Sequence, residues 1–234
     1  MVVPDAQPSP LRVRRPRRGL PAPGVVALAV LVPLVAWGVV ALTVAVAHDR
    51  NGYPGQGQLD RRLPPAGSRL DTFAAARRPL GAPAGFGRWA ELDGRWASDA
   101  GTAHPLSSGP TEAVVTTGRA ELFVHVAVVH APPGSGIVVG WAGPGDHVLV
   151  SANDSGTSWN VSRTSASGVT LLGGFVAPVD RVQLRVEVRR DRLVVDGGGG
   201  ALTVRLATPL RGTGIGLVGT GPDARFDEVA YLPL

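Results

Sequence analysis

The chain has 234 residues, 32 of them glycine and 21 proline, with 5% aromatics and no cysteine. That composition favours many turns and short strands over long helices, and it excludes a disulfide framework, a thiolate metal site and a cysteine nucleophile together. The formal charge of +5 is unevenly placed. Residues 1–70 carry nine arginines against Asp5, Asp49 and Asp60, whereas residues 71–234 carry fourteen arginines against fifteen carboxylates. The C-terminal part is therefore near neutral and lacks the basic excess of a nucleic-acid partner. All 23 basic residues are arginine, a feature to which we attach no mechanism.

Taken in chain order, residues 1–23 form a basic N-terminus expected in the cytoplasm. Residues 24–47 are expected to be a transmembrane helix, because Val25 to Ala47 is an uncharged run of 23 residues. As a helix it would span about 34 Å, enough for a hydrocarbon core of about 30 Å. Thirteen of the 23 residues are Val or Leu, whose insertion free energies outweigh the penalties of Gly38 and Thr43. Pro33 is tolerated in a spanning helix. Arg12, Arg14, Arg15, Arg17 and Arg18 precede the run, while Asp49 and Arg50 follow and cancel. The positive-inside rule then places the N-terminus in the cytoplasm and the remainder outside, as a single-pass cell-membrane protein. The rival is a signal peptide cleaved after Ala45-Val46-Ala47, but a signal h-region is usually about 7–15 residues long. Residues 48–69 are rich in Gly, Pro, Gln and Arg and are expected to form an extracellular linker.

Residues 70–234 are expected to form one all-β domain, a two-sheet antiparallel β-sandwich of jelly-roll type. Strand signals recur at the spacing such a fold requires. Leu122 to Val129 is apolar at both alternating sets and reads as a central strand covered on both sides. Ile137 to Trp141 and His147 to Ala152 flank the turn Gly143-Pro144-Gly145-Asp146, and Trp159 to Ser162 and Val169 to Leu172 follow. Val182, Leu184, Val186 and Val188 alternate with Gln183, Arg185, Glu187 and Arg189, the pattern of a strand with one covered face. Leu193 to Val195, Leu202 to Leu206, Ile215 to Val218 and Phe226 to Leu232 complete the set.

Several stretches together resemble the concanavalin A-like lectin/glucanase superfamily, in particular its laminin-G-like bacterial members. They are Asp71-Thr72-Phe73, Leu80-Gly81, the pair Trp89 and Trp96, the hairpin from Val182 to Gly200, and Gly214-Ile215-Gly216-Leu217 followed by Ala224-Arg225-Phe226-Asp227-Glu228-Val229. The resemblance covers about residues 70–234. It implies a first hairpin around Trp89 and Trp96, adjacent chain ends, and a concave sheet that binds glycans in many members. It does not imply activity, since the superfamily holds enzymes, lectins and adhesive modules alike.

Activity therefore rests on particular residues. The glucanase branch carries Glu-x-Asp-x-x-Glu on one strand, where alternation brings the carboxylates to one face. The nearest match is Glu91-Leu92-Asp93-Gly94-Arg95-Trp96, with Trp96 where the acid/base Glu should stand. No catalytic residue is assigned and the protein is expected not to be an enzyme. His104, His125, His130 and His147 show no metal-ligand spacing, and Gly197 to Gly200 lacks the Lys and helix of a phosphate loop. No cofactor is expected beyond a structural Ca²⁺, for which Asp71 and Asp227 on terminal strands, and Asp146 and Asp154 in loops, are the carboxylates to consider. A glycan needs aromatic faces for stacking and amides or charges for orientation. Trp141, Trp159, Asn160, His125 and Gln183 supply those groups, while Trp89 and Trp96 are expected in the core. The resulting expectation is a membrane-anchored, non-catalytic module that recognises an extracellular glycan. The alternatives are an envelope protein-interaction or scaffolding domain without a sugar site, and a divergent glycoside hydrolase.

Overall fold

The computed structural model describes residues 64–234; the basic N-terminus, the apolar run Val25–Ala47 and the linker up to residue 63 lie outside the described residues. Among the described residues there is no helix, and so none long and apolar enough to cross a membrane. Fifteen strands follow in order. They are β1 (Arg69–Asp71), β2 (Trp89–Asp93), β3 (Trp96–Asp99), β4 (Thr102–Pro105), β5 (Thr111–Thr116), β6 (Leu122–His130), β7 (Gly136–Gly143) and β8 (Asp146–Ala152). The remainder are β9 (Ser158–Ser165), β10 (Gly168–Val176), β11 (Asp180–Val188), β12 (Arg192–Asp196), β13 (Ala201–Arg205), β14 (Gly214–Gly219) and β15 (Arg225–Pro233).

They build two antiparallel sheets. Sheet I runs β13-β12-β11-β6-β15-β4-β3, with β1 also paired to β15; sheet II runs β10-β9-β8-β7-β14-β5-β2. Alternation decides which residues face inward. From sheet I, Val124, Val126, Leu184, Val186, Leu193 and Tyr231 enter the core, and from sheet II Ile137, Val139, Val150, Trp159, Ile215 and Leu217 meet them. Each fully buried aliphatic or aromatic side chain contributes about 1.5–3 kcal/mol. Every buried residue of this core lies between Phe73 and Tyr231, so the sandwich carries its own core.

Two expectations need correction. Trp89 and Trp96 do fill the core, but they do not share a hairpin: β2 lies in sheet II and β3 in sheet I. The chain crosses between the sheets at Gly94, whose φ of +75° belongs to the left-handed region glycine favours. A Cβ there would also stand 2.3 Å from Thr111 Cγ2. The second concerns β6, which is not covered on both sides. Its outer residues range from buried His125 to exposed Val129, because the outer side of sheet I faces solvent.

Ladder registers fix what stands on each outer face. On sheet II one row runs Leu171, Ser162, Leu149, Val138, Gly216, Val114, Ala90, each directly opposite the next. On sheet I the corresponding central row runs Ala201, Asp196, Arg185, His125, Ala230, Leu70.

Candidate functional site

The outer face of sheet II is set by its glycines and a bulge. In β7 the register against β8 shifts between Val139 and Gly143, and Gly140 takes a φ of +61°. An inserted residue re-aims the side chains that follow it. Val139 faces the core, yet Trp141, two residues on, pairs with Gly214 of β14 on the outer side. Backbone packing holds it there. A Cβ on Gly212 would lie 2.2 Å from Gly140 O, and a Cβ on Gly214 would lie 3.0 Å from Trp141 Cβ and from Val114 Cγ1. The indole is half-buried, and its Nε1 is shielded and meets no protein acceptor.

Around Trp141 the face is uncharged. The four strands β9, β8, β7 and β14 present Ser158, Asn160, Ser162, Thr164, His147, Leu149, Ser151, Val138 and Val218 outward, with Gly136, Gly214 and Gly216 between them. None of these is Asp, Glu, Lys or Arg. The carboxylates of this face stand at its margin, where Asp93 of β2 lies opposite Glu112 of β5. Burial, and then the neighbouring Asp93 charge, push the Glu112 carboxyl above its ordinary value.

Sheet I has the opposite character. Its outer side chains are largely engaged with one another: His125 Nδ1 stands 3.2 Å from Glu228 Oε1 and its Nε2 2.5 Å from Gln183 Oε1. Arg185 faces Asp196 at 3.7 Å, and Arg189 Nε donates to Glu187 Oε1 at 2.8 Å. Burial lowers the His125 pKa below the usual histidine value, against the raising influence of Gln183 and Glu228. Such mutual pairing leaves few polar groups for a ligand.

The five residues named from sequence therefore do not form one site. Trp141 and Asn160 share the outer face of sheet II, while His125 and Gln183 lie on the other side of the sandwich. Trp159 requires correction. It pairs with Ala152 and Phe175 on the inward side, is 0% exposed, and its Nε1 donates to Pro178 O at 3.0 Å. A side chain with no solvent-facing surface cannot stack on a sugar. His125, 1% exposed, is likewise closed off by its neighbours.

Among the calcium carboxylates, Asp71 needs correction. Asp71 is buried, accepting from Phe73 N–H at 3.0 Å, Arg77 Nη2 at 2.6 Å and Trp89 Nε1 at 2.9 Å. Both of its oxygens are thus committed to the fold. Asp227 sits exposed at a bulge in β15, and Asp146 pairs with Arg163. Among the described residues no group of three or more His, Asp or Glu could hold a metal ion. Sequence reasoning missed the margin pair Asp93 and Glu112 and the glycine floor of Gly136, Gly214 and Gly216. The glycines were visible as Gly-x-Gly in β14, but their facing depends on the register.

No family model matches the sequence, and no curated protein is similar enough to count as a relative. Solved structures of similar fold do exist. The GH43 protein BlXynB of Bacillus licheniformis matches with a TM-score of 0.52 at 14% identity, over 74% of this chain and 41% of its own. The chain thus spans less than half the length of that protein. The carbohydrate binding module CBM66 of Bacillus subtilis matches at a TM-score of 0.44 and 12% identity, over 62% of this chain and 92% of its own. A β-1,3-1,4-glucanase (lichenase) derived from a mouse hindgut metagenome matches at 0.47 and 14%, over 71% and 99%. The likeness is one of fold, to two-sheet antiparallel sandwiches of the jelly-roll kind, and agrees at that level with the resemblance carried by the sequence.

Proposed function

We propose that this protein is a non-catalytic glycan-binding module, anchored in the cell membrane by Val25–Ala47, with residues 64–234 on the extracytoplasmic side. The glycan lies across the outer face of sheet II against Trp141. The observation that carries this reading is the half-buried indole beside Gly214, in a face whose four central strands offer hydroxyls, an amide and apolar surface but no charge. A glycan chain has apolar ring faces for the indole and hydroxyls for Thr164 near the row of Trp141 and for Ser162 and Asn160 further along β9, and binding sites of this mixed kind orient ligands through a few polar groups.

Hydrolysis is the weaker reading. Asp93 and Glu112 stand directly opposite each other at the margin of the face, where burial and then the Asp93 charge raise the Glu112 pKa above its ordinary value, and the pair does not flank a bond near Trp141.

The test is a saccharide array probed with the purified protein, followed by titration of the best binder. Trp141→Ala is expected to weaken binding at least tenfold with little change in melting temperature. Binding unchanged in Trp141→Ala, or no saccharide bound at all, would sink the proposal. Release of reducing ends from the bound glycan would move the protein to the hydrolases.

A further inference from the structure

Leaving aside the three-residue β1, which pairs only with β15, four strands end the two sheets, and they are not alike. At three of these edges the strand is short and charged: β2 has five residues with Glu91 and Asp93, β3 has four with Asp99, and β13 has five with Arg205. Charges and short length are the usual means by which sheet edges avoid pairing with other chains. The fourth, β10, has nine residues, Gly-Val-Thr-Leu-Leu-Gly-Gly-Phe-Val, with no charge and no proline. Val169, Leu171 and Val176 on this strand are 71%, 65% and 70% exposed, more than any other large apolar residue of the described chain. The registers place all three on the outer side of sheet II. Its later half leans on the neighbouring sheet, with Leu202 beside Gly173 and Gly200 beside the Val176 backbone. The open part is Gly168 to Leu171, where every residue is exposed.

We infer that β10 is the seam between two copies of this chain, paired antiparallel edge to edge about a two-fold axis at Thr170. The occupant is argued from self-complementarity. In a two-fold interface the same surface patch meets itself, with only the residue on the axis facing its own copy, so a charge close to the axis would approach its own sign. The whole β9–β10 hairpin holds one charged residue, Arg163, and that is paired with Asp146. With the axis at Thr170, Val169 of one copy stands opposite Leu171 of the other, so each exposed apolar side chain covers another. The threonines form a cross-strand pair of a favourable kind. The inference does not depend on the glycan reading. If both hold, sheet II continues from one copy into the next, and two Trp141 rings share one face roughly 34 Å apart, seven strand spacings.

The chain contains no cysteine, so one introduced thiol reports one position. The experiment oxidises dilute full-length Thr170→Cys protein in mild detergent and compares it with Leu92→Cys on the opposite edge of sheet II. Thr170→Cys is expected to form disulfide-linked dimers at least tenfold faster than Leu92→Cys. Adding Leu171→Arg, an exposed position whose change leaves the monomer's melting curve intact, is expected to slow the linkage at least tenfold. Equal linkage of the two cysteines overturns the inference, as does linkage that survives Leu171→Arg. A Thr170→Cys protein that stays monomeric assigns the edge to some other strand and overturns it equally.

Discussion

Glu112 faces Asp93 directly across the β2–β5 ladder, with one carboxylate oxygen buried and without a partner. Like charges set opposite each other on adjacent strands destabilise a sheet. Since the folded pKa is raised above the ordinary value of 4.5, the folded state holds a proton that the unfolded chain has already released, and stability falls as pH rises through that window. Glu112→Gln removes the penalty. Its melting temperature is expected to exceed that of the parent at pH 7, with the gap closing below about pH 4.5, where both states of the parent are protonated. Thermal melts at a series of pH values check this, and a gap that stays constant with pH would refute it. The same scale shows why the candidate site was only half legible. Trp141 and Trp159 are the same residue type in similar alternating strands, and nothing local tells them apart. The bulge at Gly140 turns one outward, while the pairing with Phe175 and Ala152 turns the other inward. A single inserted residue reverses facing in a period-two pattern, and its position is known only once the partner strand is.

Among the elements, those with clean alternation could be read and those without could not. β11 alternates apolar and polar residues along its length and stands nearly as expected, while β6, with apolar residues in both alternating sets, was placed in the chain but read as covered on both sides. β5 reads Thr-Glu-Ala-Val-Val-Thr, and Val114 is buried on its outer side next to Trp141's neighbour Gly214, so alternation is masked. β1 is three residues long and owes its place to Asp71 rather than to any periodicity. That carboxylate ties β1 to Trp89 of sheet II and, through Arg77, to the carbonyl of Leu80. It fastens the N-terminal segment to both sheets at once. Removing one partner of a buried, hydrogen-bonded charge pair leaves the other uncompensated, so Asp71→Ala is expected to cost about 3 kcal/mol, with Asp71→Asn costing less. Chemical denaturation measures both. An Asp71→Ala protein as stable as the parent would show that the cluster is incidental to the fold.

At the scale of the whole molecule, the first and last strands lie side by side. Arg69 pairs with Tyr231 and Asp71 with Val229, and Gly67 approaches the side chain of Leu232. The two ends of residues 64–234 therefore meet at one edge of the same sheet, and a few residues of flexible linker suffice to join them. The turn Asn153–Gly156 between β8 and β9 lies at the surface and offers a place to cut instead. A circular permutant of residues 64–234 opened at that turn and closed across the old ends keeps every strand pairing described above. Surface turns with few contacts tolerate such cuts, and the permutant is expected to melt within about 4 °C of the uncut domain, equivalent to about 1 kcal/mol. The order in which the strands are threaded is thus separable from the sandwich they build, and either end of the chain, or the turn at Asn153, can serve as the point from which the domain is hung.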